Sequence, residues 1–180
     1  MSRIPLVQPD AATAEAAELL AGIKKAWGVT PNMTKAMANS PAVLKAYMAF
    51  SAALAGGSLR PAVRERIALL TAQENGCDYC LASHIQVSTH LHKLEQNEVD
   101  EARRGRSADP YADAALSLAA AVLRSRGGIA DGDVDAARAA GLSDAEIAEV
   151  IAEVSLSTFT NYFNRAVATD LDGPLAKYLP

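Results

Sequence analysis

The chain has 180 residues, the length of one ordinary globular domain, and half of them are hydrophobic, enough to build a sizeable core. Three Phe, one Trp and five Tyr stand against 38 Ala, a balance that favours closely packed helices over half-buried strands and argues against an all-β fold. A net charge of −4 excludes binding of nucleic acid or anionic lipid by bulk charge, and the hydrophobic content excludes disorder.

In chain order, Asp10 or Thr13 is placed to cap a first helix carrying Leu19, Leu20, Ile23 and Trp27 at helical spacing, with Gly28 as its stop. A short helical piece is expected over 32–39. Ser40-Pro41 then offers a cap and a first-turn proline for a helix ending at Gly56-Gly57. Pro61 opens the next helix, with Val63, Ile67 and Leu70 as its stripe and Gly76 at its end. Cys77-Asp78-Tyr79-Cys80 begins a helical pattern running to about Leu91 or His92. Further helices are expected over 94–104, from Asp109-Pro110 to Gly127-Gly128, and over 131–140. Ser143-Asp144-Ala145-Glu146 is a capping-box pattern opening a long helix with Ile147, Val150, Ile151 and Val154 inward, continuing through Phe159 and Tyr162 towards Thr169. The fold class is therefore all-α, in a single domain over 1–180, with the Arg103–Asp109 connection as the expected long loop.

Met1–Asp10 lacks the apolar run of a signal peptide, and the longest nearly apolar stretch, Ala114–Leu123, is half what a bilayer crossing needs. With two cysteines in all, the expectation is a cytoplasmic protein with reducible thiols, and no membrane partner.

Those cysteines carry the chemistry. On a helix beginning near Cys77, Cys77, Cys80 and His84 fall within a sector of about 60°. A helix amino terminus presents free N–H groups and positive potential, which favours thiolate over thiol. His84, one turn beyond Cys80, is placed to accept or relay the departing proton. Glu65 is the awkward residue upstream: Pro61, Ala62, Ala68 and Leu69 surround it on its own helix, and a carboxylate on an apolar face needs a partner from elsewhere. His84 is one candidate partner and Arg165 another. A Glu65–His84 pair would complete a series of nucleophile, base and orienting group.

Simpler roles for the same residues remain open. Cys77, Cys80, His84 and Glu65 could supply zinc ligands, although no second Cys or His pair exists to close an ordinary structural site. Leu81 stands where c-type haem attachment needs His. His90 and His92 lie on opposite sides of a helix and read as surface or interface residues. Tyr79 points away from the Cys80 side and reads as packing. Arg103, Arg104 and Arg106 read as a solvated loop, and Asn161 and Asn164 as structural hydrogen-bonding residues or subunit contacts, unless they line the site.

Glu65, eleven intervening residues, Cys77, two, Cys80, three, His84, set in Arg64-Glu65-Arg66-Ile67 and Glu74-Asn75-Gly76-Cys77-Asp78-Tyr79-Cys80, resembles the redox signature of the alkylhydroperoxidase AhpD-like proteins. That group lies within the carboxymuconolactone decarboxylase superfamily. Weaker similarity to its peroxidase-related branch extends through Asn161-Tyr162-Phe163-Asn164. The resemblance implies an AhpD-like helical fold assembled as trimers or hexamers. It also implies a hydroperoxide reductase in which Cys80 attacks peroxide, Cys77 resolves the sulfenic acid as a disulfide, and Glu65 and His84 move the proton. A lipoyl group or thioredoxin-like protein would be the external dithiol reductant, with no bound cofactor and no metal. Some members carry His immediately before the second cysteine, where this chain has Tyr79, and the decarboxylase branch generally lacks the cysteine pair. The alternatives are a thiol–disulfide oxidoreductase acting on protein partners and a redox-sensing interaction module.

Overall fold

In the computed structural model, which describes residues 1–179, side-chain caps and first-turn prolines start most of the helices; Pro180, the last residue of the expected domain, lies outside the described residues. Thr13 accepts from the Ala16 backbone N–H to start α1 (Ala14–Trp27), and Gly28, at φ 77°, ends it in the left-handed conformation. α2 (Asn32–Met37) and α3 (Pro41–Ala55) follow, the latter opened by a first-turn proline. Proline also opens α4 (Pro61–Glu74) and α7 (Pro110–Ser125), where its missing N–H has no helical partner to lose. α5 (Asp78–His90), α6 (Gln96–Arg103), α8 (Asp131–Ala139) and α9 (Asp144–Val167) complete the set, and a 3-10 turn over Gly173–Tyr178 lies against α5. The fold is all-α, with no strand among the described residues.

α4 is the central element. Val63, Ile67, Ala68, Leu69, Leu70 and Ala72 are all buried, and the helix packs against α5, α6, α7 and α9. Ala112, Ala115 and Ala119 of α7 are fully buried, so short side chains bring that helix close to its neighbours. One hydrophobic core runs from Ala16 to Leu175. The 104–109 connection is ordered by Glu98, which accepts from Arg66 Nε (2.8 Å), the Ser107 hydroxyl and the Ala108 N–H.

Four residues on the expected apolar stripes face out. Trp27 is 44% exposed and meets the Tyr47 ring edge-on at 6.4 Å. Ile151 is 37% exposed, because Val150 and Val154 hold the face of α9 turned to the core. Phe159 and Tyr162 are exposed as well, since the second half of α9 turns Ser157, Thr160, Asn161 and Asn164 inward instead. These four and Glu153 share a sector of about 100°. A buried polar stripe thus replaces the apolar one expected there, and it runs along the helix that covers the cysteine turn.

Candidate functional site

The junction of α4 and α5 is built by one glycine. Gly76 adopts φ 63°, its N–H bonds to the Gln73 carbonyl and the Cys77 N–H reaches back to that of Ala72, the double closure of a Schellman turn. Cys77 thereby ends one helix and caps the next: its sulfur accepts from the Cys80 backbone N–H at 3.3 Å. Cys77 and Cys80 are joined as a disulfide with Cα atoms 5.3 Å apart, and both residues are buried. His84 follows one turn later on the same face.

Glu65 reaches across from α4. Its Oε2 lies 2.8 Å from His84 Nδ1, a direct ion-pair contact between two partly buried side chains. Of the two partners weighed for Glu65, His84 is the one it meets, and Arg165 is exposed. Burial is the largest single influence on His84 and opposes its charging, but the charge and hydrogen bond of Glu65, with Glu153 adding to them, outweigh burial and hold its pKa above the ordinary value.

Glu153 of α9 and Tyr47 of α3 belong to this cluster, although the sequence reading had named neither as a site residue. Glu153 is 8% exposed. Burial pushes its pKa up to about 7; His84 and Arg64 draw it down and Glu65 raises it. Tyr47 is pushed up to about 12 by burial and by the carboxylates of Glu153 and Glu65. Glu153 could have been found by the argument that found Glu65, because it falls between Val150 and Val154 on the inward face of its helix. Tyr47 left no such signal, because an aromatic residue on an apolar helix looks like core.

Asn164 sits against the sulfur: its Nδ2 donates to Cys80 Sγ at 3.3 Å. Asn75 Nδ2 donates to Asn161 Oδ1 at 3.0 Å, tying the cysteine turn to α9. Tyr79 turns away from this cluster; its hydroxyl donates to Asp172 Oδ2 (2.6 Å) and accepts from the Met33 N–H (3.2 Å), a structural link to the carboxy-terminal segment. His90 stacks edge-on with Tyr178 at the surface, and His92 is half-buried just beyond the end of α5. Arg104 and Arg106 pair with Glu101, while Arg103 donates to Gln73.

Among the described residues, no group of three or more His, Cys, Asp or Glu is arranged to hold a metal ion, and no helix is long and apolar enough to cross a membrane. The arrangement can interconvert two thiols and a disulfide, with an imidazole–carboxylate pair alongside to carry a proton.

Residues 41–125 match the model of the carboxymuconolactone decarboxylase family. No curated protein matches the sequence. The fold is similar to that of a peroxidase-related protein with an alkylhydroperoxidase AhpD core from Ralstonia eutropha JMP134, at 21% identity over 97% of this chain and 94% of that one, with a TM-score of 0.86. A peroxidase-related protein from Silicibacter sp. TM1040 is similar at 23% identity over 97% and 93% of the two chains, TM-score 0.84. A cysteine-to-alanine variant of the debrominase Bmp8, in complex with 2,3,4-tribromopyrrole, is similar at 20% identity over 99% and 97%, TM-score 0.79. The matched segment spans α3 to α7 and so contains Glu65, Cys77, Cys80 and His84, and the helical arrangement around it is shared with these structures over nearly the whole length: this part of the chain is similar to the carboxymuconolactone decarboxylase family, and the fold is AhpD-like.

Proposed function

We propose that the protein is a thiol-dependent hydroperoxide reductase with Cys80 as nucleophile, Cys77 as resolving thiol, and Glu65 with His84 as the proton relay. The observation that carries this reading is the 2.8 Å His84–Glu65 pair on the same face of α5 as the buried Cys77–Cys80 disulfide. The Cys80 thiolate attacks one peroxide oxygen, the O–O bond breaks, and the alkoxide leaves as an alcohol with the proton carried by His84. The Cys77 thiol then displaces water from the sulfenic acid, closing the disulfide. An external dithiol, a lipoyl group or a thioredoxin-like protein, returns both cysteines to thiols and is itself oxidised to a disulfide. No metal or bound cofactor enters this scheme, and the reducing environment it requires fits a cytoplasmic location.

The test is peroxide-dependent oxidation of a dithiol donor across a panel of hydroperoxides. Cys80→Ser is expected to abolish it, and full activity in that variant overturns the assignment. Turnover with disulfide-bearing proteins but none with peroxides would favour the thiol–disulfide oxidoreductase reading, and a change of assembly on oxidation without turnover would favour the redox-sensing module. The likeness to the debrominase over 99% of this chain recommends a bromopyrrole as a further substrate. There a dithiol would release bromide, replace it with hydrogen and close the same disulfide.

The functional unit in this proposal is a homo-oligomer, a trimer or hexamer. Ile151, Phe159 and Tyr162 are exposed within one sector of about 80° on α9, an apolar face of the kind that a second copy covers.

A further inference from the structure

Asn164 is 3% exposed and lies in the last turn of α9, where its Nδ2 donates to Cys80 Sγ at 3.3 Å. Its own Oδ1 is buried without a hydrogen-bond partner among the described residues. For a buried amide this is a poor arrangement while Cys80 is in a disulfide. Neutral sulfur is a weak acceptor, and an unpaired carbonyl oxygen in the interior is unfavourable. The arrangement becomes favourable when the sulfur carries charge, because a hydrogen bond to an ionised acceptor is roughly twice as strong as one between neutral groups. The two sulfurs are treated differently as well. Cys77 receives a backbone N–H from within its own turn, whereas Cys80 receives a side-chain N–H from a different helix.

From this geometry we infer that Asn164 is a further catalytic residue, whose amide N–H stabilises the Cys80 thiolate and selects Cys80 over Cys77 as the nucleophile. The inference rests on the reading of Cys80 as the reactive thiol. Reduction by an external dithiol gives Cys77–SH, Cys80–S⁻ and one released proton, and the donor leaves as its disulfide. Asn164 gains its stronger hydrogen bond in the reduced state alone. It therefore lowers the pKa of Cys80 and, by favouring the reduced form, makes the Cys77–Cys80 disulfide more oxidising. Asn161, three residues earlier, is the control: it is equally buried, and its Oδ1 is bonded to Asn75.

The chain has no cysteine besides these two, so Cys77→Ala leaves Cys80 as the sole thiol. In that background the pH dependence of iodoacetamide alkylation and of thiolate ultraviolet absorbance reports Cys80 directly. Asn164→Ala is expected to raise its pKa by about one unit, tenfold in thiolate fraction on the acid side. Asn164→Asp, isosteric but anionic, is expected to raise it further, and Asn161→Ala to leave it in place. With both cysteines present, Asn164→Ala is expected to shift the disulfide equilibrium about tenfold towards the oxidised form, about 30 mV. An unmoved titration in the Asn164 variants, or an equal shift in Asn161→Ala, overturns the inference. Should the Asn164 variants not fold, the side-chain amide resonances of Asn164 in the Cys77→Ala protein must move with the Cys80 midpoint, and resonances that stay fixed overturn it equally. These readouts need no peroxide. A shifted titration in a protein without peroxide turnover would remove the hydroperoxide reading and leave this inference standing; normal turnover with an unshifted titration would do the reverse.

Discussion

His84 is governed by two opposed effects of similar chemistry: burial, which disfavours its charge, and Glu65 at 2.8 Å, which favours it. Glu65→Gln removes the favourable charge and leaves burial in control. The His84 pKa is then expected to fall below its ordinary value near 6.5, as followed by imidazole NMR, and turnover to drop by about 10²- to 10⁴-fold. The linkage has a definite sign. A raised folded-state pKa contributes stability below the unfolded value that is lost as pH rises through the folded one. The wild-type advantage in Tm over Glu65→Gln is therefore expected to shrink as pH rises through the folded-state His84 value. Glu153 behaves as an acid held neutral by burial, at about 7. Its contribution also falls as pH rises, between the ordinary carboxylate value and about 7, where a buried charge must form. Glu153→Gln is expected to raise Tm more at about pH 8 than at about pH 4, and equal gains at both would count against burial as the cause.

The elements that hold these residues depend on a few backbone devices. Gly76 closes α4 and presents Cys77 as the cap of α5, at a φ that L side chains avoid. Gly76→Ala is expected to cost about 1–2 kcal/mol and to displace the cysteine turn, so a chemical denaturation midpoint and the disulfide equilibrium should both move. Gly57 has a steric reason instead. A Cβ there would lie 2.7 Å from the Glu149 carboxylate, which accepts the Ser58 and Leu59 N–H groups between α3 and α4. At the start of α9 the Ser143 hydroxyl and the Glu146 carboxylate cap each other's backbone N–H groups. Ser143→Ala is expected to lose about 1 kcal/mol in the same denaturation experiment, without effect on the Cys80 titration. These devices were readable in the residues because proline, glycine and Ser-x-x-Glu act through local geometry.

For the whole molecule, the face of α9 opposite the polar stripe is apolar and exposed. If a second copy covers it, Tyr162→Glu is expected to shift sedimentation towards the monomer, whereas a wild-type protein that is already monomeric at working concentration would remove the oligomer proposal. The same helix shows where reading from residues stops. Ile147, Val150 and Val154 follow a 3.6-residue period and were placed correctly, but beyond Glu153 the inward sector is polar and the aromatic residues lie outside it. A hydrophobic pattern assigns faces by assuming that apolar residues turn inward. It fails on this helix, where polar residues turn inward against the cysteine turn and aromatic residues stay outside.

The all-helical class, most helix ends, and the set Glu65, Cys77, Cys80 and His84 were legible from spacing, because capping, helical period and the cost of an unpaired carboxylate are local constraints. The choice of His84 over Arg165 as the partner of Glu65, and the arrival of Glu153, Tyr47 and Asn164 at the same cluster, depend on how α3, α4, α5 and α9 cross. The Asn164–Cys80 contact alone joins residues 84 positions apart, and no local pattern carries that distance.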